Sequence, residues 1–224
     1  MNPEGRDANR IVANELIDHS SWHFFQAVSW LDLAKRTQKP SVLHHAAFEL
    51  RYGVEYLLFE LLVLISHGLT EKQYQACLGD PKGMKRELRS SILNYDRLVE
   101  FTRILMSLDP KAPTLRYWRL DDLFRYWGIA SEFLHFMGAH SLTYGDEKWF
   151  ICALSRLEDP IREVWRASTE TLGYGLFAID KMVPEVRKAW DEFLAGSLCA
   201  DDLKIRMSLA HPILRHRHQN RPNK

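Results

Sequence analysis

The stretch AAFELRYGVEYLLFELL, residues 46–62, decides the fold class. Read at 100° per residue from just upstream, Leu43, Ala46, Ala47, Leu50, Val54, Leu57, Leu58, Leu61 and Ile65 fall into one wide apolar band. Toward the end of the stretch, aromatic and aliphatic residues fill much of the opposite side as well. A helix that is apolar nearly all round is a buried one. The reading is therefore an all-α protein, a multi-helix bundle around a long central buried helix near residues 42–67.

The few polar residues of this helix need partners, because an unpaired charge in an apolar core is costly. His45, Glu49, Tyr52, Gly53, Tyr56 and Glu60 share one face, and His44, Arg51 and Glu55 share another. Arg51 and Glu55 have the i,i+4 spacing of a helical ion pair. Two readings follow for Glu49 and Arg51: paired or solvated architecture, or one wall of a polar pocket inside the bundle. The partners of these acids are expected on the helix at Leu120–Gly138, with its Arg125 and His135.

Helical punctuation continues along the chain, whereas sustained apolar/polar alternation and Asn-Gly or Asp-Gly hairpin turns are absent. A first helix is predicted from Asp7 to about Lys35, ahead of Lys39-Pro40. Ser41 is the expected N-cap of the second helix and Gly68 its stop. Further helices are predicted over Glu71–Leu78, Asp80–Leu108, Leu120–Gly138, Glu147–Leu172 with a bend at Asp159-Pro160, Pro184–Leu194 ahead of Gly196, and Ala200–Ala210, ending at His211-Pro212. The longest connection, Lys111–Tyr117, would divide the chain into halves at 1–110 and 111–224. With no composition shift between them, the expectation is a single helical domain over 1–224 carrying a basic tail at 212–224.

Composition narrows the function classes. The 224 residues are 46% hydrophobic and 26% charged, with formal net charge +1. This is ordinary globular composition and gives no whole-protein pull toward nucleic acid or membrane. The distribution is uneven, since Lys204, Arg206, Arg215, Arg217, Arg221 and Lys224 follow Asp202, the last acid. Cys77, Cys152 and Cys199 are odd in number and form no C-x-x-C pair, which fits a reducing compartment. The start lacks an apolar signal region, and the apolar run Tyr56–Ile65 spans only about half of the ~20 residues a membrane crossing requires. A cytoplasmic protein with no membrane partner is the resulting expectation. Phosphate-loop, dinucleotide-binding and nucleophile-elbow motifs are all missing.

The second polar stripe lies on the Leu120–Gly138 helix, where Asp121, Arg125, Gly128, Glu132 and His135 fall within about 80° of one another. Acids, an arginine and a histidine in line could recognise phosphate or carboxylate and move protons. A surface ladder of i,i+4 and i,i+7 pairs is the structural alternative. Gly128, in mid-stripe, would let a backbone or ligand approach closely.

Glu15, His19 and His23 recur at i, i+4 and i+8, and Glu132-x-x-His135 has the spacing used in helical di-metal bundles, with His45 and Glu49 as further donors. That pattern requires two such pairs and two more helix-borne glutamates, and only one pair is present. No metal or other cofactor is therefore expected.

The stretch at residues 46–62, with Arg and Glu set among apolar residues, resembles the HEPN group of small helical proteins. Near the end, Arg206-Met-Ser-Leu-Ala-His211 fits that group's Arg-x4–6-His spacing. The resemblance implies a homodimer with Arg206 and His211 at the shared interface. It also implies metal-independent endoribonuclease chemistry, in which Arg206 binds phosphate and His211 assists attack by a ribose 2′-hydroxyl. RNA is then the implied partner, within a stress or defence module. Separately, His216, Arg217, His218 and Arg221 of the tail could contact phosphates, with a solvated terminus as the alternative reading. Two alternatives stand beside the RNA reading: a non-enzymatic helical interaction or scaffold protein with an exposed aromatic patch, and a small-molecule or metal pocket between the polar helix faces.

Overall fold

The computed structural model describes residues 19–65, 92–112, 117–134, 147–170 and 182–219, together with residues 75, 86, 87, 90, 176 and 179. Within these, the side chains at 92, 93, 170 and 210–219 fall outside the description. Among the described residues there are seven helices and no strand: α1 (Ser20–Thr37), α2 (Pro40–Ile65), α3 (Ile92–Met106), α4 (Leu120–Leu134), α5 (Glu147–Glu170), α6 (Pro184–Leu194) and α7 (Ala200–Gln219).

The helix around the quoted stretch is α2, and its whole predicted apolar band is buried. Its start differs from the expectation. Lys39 O accepts from the amides of Val42 (3.1 Å) and Leu43 (3.3 Å), so the helix begins at Pro40 and Ser41 is not its cap. Proline suits that position because its fixed φ is helical and its missing N–H would have had no partner there. Gln38 ends α1 in the left-handed region (φ 52°), its amide donating to Ala34 O at 2.7 Å. Only Gln38 and Lys39 separate the two helices, which pack as a hairpin.

The first helix is not the unbroken run predicted from Asp7. His19 is extended (φ −79°, ψ 154°) and α1 starts after it. The cause is long-range: Ser20 gives both its amide and its hydroxyl to Glu60 of α2, at 3.0 and 2.9 Å. Glu60 thereby supplies the N-terminal acceptor that His19, which makes no capping bond, does not. Residues 1–18, and with them the start of the predicted helix, lie outside the described residues, as do the predicted Glu71–Leu78 helix and Gly68.

Two later prolines lie inside helices. Helix α5 is continuous through Pro160, the position of the predicted bend, and α7 continues past the predicted stop at His211-Pro212 to Gln219. A proline inside a helix deletes one backbone bond and crowds the preceding turn, which weakens a helix without obliging it to end.

Helix α2 is the hub, packing on α1, α4, α5 and α3. Helix α5 also lies against α1 and α4, while α3, α6 and α7 pack on one another. Each of these two groups draws helices from both sides of the Lys111–Tyr117 connection. Buried residues from all seven helices belong to one apolar cluster, with Phe101 of α3 packed edge-on to Trp190 of α6 at 5.3 Å. Among the described residues no helix is long and apolar enough to cross a membrane.

Candidate functional site

The polar residues of α2 are answered mostly by α1. His23 Nδ1 and Glu49 Oε2 are 2.8 Å apart, with the His23 ring also against Tyr56 (4.9 Å) and Tyr52 (5.9 Å). Glu60 takes the N-terminus of α1, as above. Burial raises the Glu60 pKa above the ordinary carboxylate range, against the lowering effects of the two Ser20 bonds and of His19. The partners of Glu49 and Glu60 are thus on α1 and not, as expected, on the Leu120–Gly138 helix.

Glu55 does reach that helix. Its Oε1 accepts from Arg51 Nε (3.0 Å) and from Trp127 Nε1 (2.8 Å), and the Arg51 guanidinium lies 5.6 Å from the centre of the Trp127 ring. Arg51 and Glu55 therefore clip α4 to α2. Glu49 and Arg51 are consumed in contacts between helices and neither borders the groove described below.

The second stripe is a surface feature. Asp121, Arg125 and Glu132 are exposed, and the stripe's residues pair outside it: Arg125 Nη2 with Asp122 (3.1 Å), Glu132 Oε2 with Arg156 Nη2 of α5 (2.6 Å). Among the described residues, nothing beyond its own helix lies within 4 Å of a Cβ built on Gly128, so no described backbone approaches closely there. His135 lies outside the described residues.

Together α4 and α5 border a groove of about 580 Å³ that takes in Arg125, Arg156, Arg162 and Arg166, with Asp159 and Glu163 as its acids. The α4 stripe contains Arg125 alone of these, whereas the three arginines of α5 belong to no stripe read from the sequence. Their i, i+6 and i+10 spacing from Arg156 was the available signal, with 6 and 10 residues bringing them to within about 120° on one side of a helix. Arg162 also pairs with Asp32 of α1 and approaches Glu158. At the floor, Tyr126 donates its hydroxyl to Glu163 Oε2 (2.8 Å). Burial, then the Glu163 carboxylate, push the Tyr126 hydroxyl well above its usual range, so it remains a donor. The Arg125 guanidinium lies 4.9 Å from the centre of the Tyr126 ring.

Arg206 lies on α7, far along the chain from this groove, and is bound to Glu192 of α6. The His211 side chain and the basic tail at 212–224 lie outside the described side chains. On the continuous α7 backbone, positions 206 and 211 stand about 140° apart around the axis. Among the described residues no group of three or more His, Cys, Asp or Glu side chains is placed to hold a metal ion; Glu15 and His135 of the metal patterns lie outside them. No protein-family model matches the chain, and neither a curated protein nor a solved structure matches it significantly.

Proposed function

We propose that this chain is a HEPN-like helical protein that binds RNA, and that the groove between α4 and α5 holds the phosphate backbone. One observation carries the reading: four arginines from two helices converge on one groove. Guanidinium groups offer several donors in a planar fork that matches phosphate oxygens.

Arg125, Arg156 and Arg162 are already engaged by carboxylates, and that does not disable them. Arg125, Arg156 and Arg162 are 60%, 55% and 42% exposed in their ion pairs. Exposed pairs of this kind contribute about 0–1 kcal/mol each. Exchanging such a carboxylate for a phosphate oxygen costs little, while release of the ions condensed on RNA favours the exchange. The carboxylates hold the side chains extended over the groove until a phosphate replaces them. RNA retention is assigned to this groove and not to Arg206, which is bound to Glu192 of α6 and does not line the groove.

The test is fluorescence anisotropy of a labelled RNA oligonucleotide with the wild type and the Arg156→Ala/Arg166→Ala double variant. The double variant is expected to bind at least about tenfold more weakly, with unchanged helicity by circular dichroism. Arg97→Ala on α3, removing an arginine that does not line the groove, is expected to bind like the wild type. Equal binding by the wild type and the double variant would overturn the proposal.

A further inference from the structure

The proposed groove has an aromatic neighbour that phosphate binding leaves unused. On α1, Trp22 and Phe25 are 50% and 44% exposed, which is unusual for rings of that size. Their centroids lie 5.8 Å apart, and Phe25 continues to Trp165 of α5 at 5.7 Å. Trp22, Phe25 and Trp165 thus form a shelf of tilted rings with two members half in water.

The shelf and the groove share the ridge of α5. Trp165 directly precedes Arg166 and stands three residues from Arg162, both of which border the groove. Arg162 bonds across to Asp32, two turns beyond Phe25 on α1. One side of the ridge therefore presents guanidinium groups and the other presents ring faces.

We infer that the RNA bound here is single-stranded, with its unpaired bases stacking on Trp22 and Phe25 while the adjoining phosphates lie on Arg162 and Arg166. The inference rests on the RNA reading of the groove and narrows its ligand. A guanidinium track beside exposed rings is the combination that holds single strands with little sequence preference, since every base has a π-face. A duplex keeps its base faces stacked inside and cannot use the shelf.

Binding of one RNA sequence, single-stranded and annealed to its complement, is compared for the wild type, Trp22→Ala/Phe25→Ala, Trp22→Phe and Arg156→Ala/Arg166→Ala. The wild type is expected to prefer the single strand by about tenfold. The double alanine variant is expected to lose about tenfold on the single strand and nothing on the duplex, whereas Trp22→Phe, which keeps a ring face, retains most of the affinity. Circular dichroism checks that each variant is folded. If both forms bind, the arginine variants lose both and the aromatic variants lose neither, the shelf inference is wrong and the groove reading stands. If neither form binds, both fall. Loss of self-association in light scattering, without any change in RNA affinity, would make the shelf a contact between copies of the chain and would also overturn the inference.

Discussion

Glu60 combines two tasks that pull in opposite directions. Its carboxylate takes the Ser20 amide and hydroxyl and so closes the N-terminus of α1, where negative charge is favourable. It does so from the flank of the central buried helix, where losing water disfavours the charged form more strongly than the two hydrogen bonds and His19 favour it. The folded acid therefore holds its proton to higher pH than the unfolded one. Between the ordinary glutamate pKa of about 4.3 and its raised value, the native state binds more protons, so this group's contribution to stability rises as pH falls through that interval. Glu60→Gln removes the titration while keeping an acceptor. The stability of the wild type relative to Glu60→Gln, from calorimetric midpoints, is expected to increase as pH is lowered from neutrality toward the ordinary glutamate pKa. A difference that stays constant with pH would contradict the burial argument.

At the scale of helices, two glycines separate a packed face from an open one. A Cβ on Gly53 of α2 would lie 2.6 Å from the Phe24 ring of α1 and 3.1 Å from His23 Cβ. Phe24 is fully buried and cannot step aside. Gly128 of α4 faces open space. Replacing glycine by alanine inside a helix gains about 1 kcal/mol of propensity, and overpacking a tight contact costs about 1–3 kcal/mol. Chemical denaturation is therefore expected to show Gly53→Ala destabilised by up to about 2 kcal/mol and Gly128→Ala stabilised by about 0.5–1 kcal/mol. The same pair shows what was legible in the sequence. Periodicity located α2, its buried band and the face that carries Glu49, Gly53 and Glu60, because those depend only on the helical repeat. It could not say which neighbour covers that face, so α1's role was given to α4 and the close approach was placed at Gly128 instead of Gly53. The break at His19 escaped for the same reason, since its cause lies forty residues away at Glu60. The arginines of the groove were visible one helix at a time but converge only when α4 and α5 are side by side.

For the molecule as a whole, helix order along the chain and helix neighbourhood in space diverge: α1, α2, α4 and α5 gather at one end of the contact pattern and α3, α6 and α7 at the other. The groove belongs to the first group, and the net charge of the chain is only +1. Those two facts set the form that the proposed RNA binding would take. A nearly neutral protein exerts little long-range attraction, so the electrostatic part of affinity has to come from the few guanidinium groups that touch phosphates. Each phosphate neutralised on a single strand contributes about −0.7 to the slope of log K against log salt. Four arginines then give a slope of about −3, far shallower than that of a protein with an extended basic surface. Titrations of a labelled single-stranded RNA at a series of potassium chloride concentrations are expected to give this value, falling in magnitude by about 0.7 for each of Arg156→Ala and Arg166→Ala. A slope several units steeper would place the phosphates on another surface, with the basic tail at 212–224 first in line. A slope near zero would mean that no phosphate is held by charge at all.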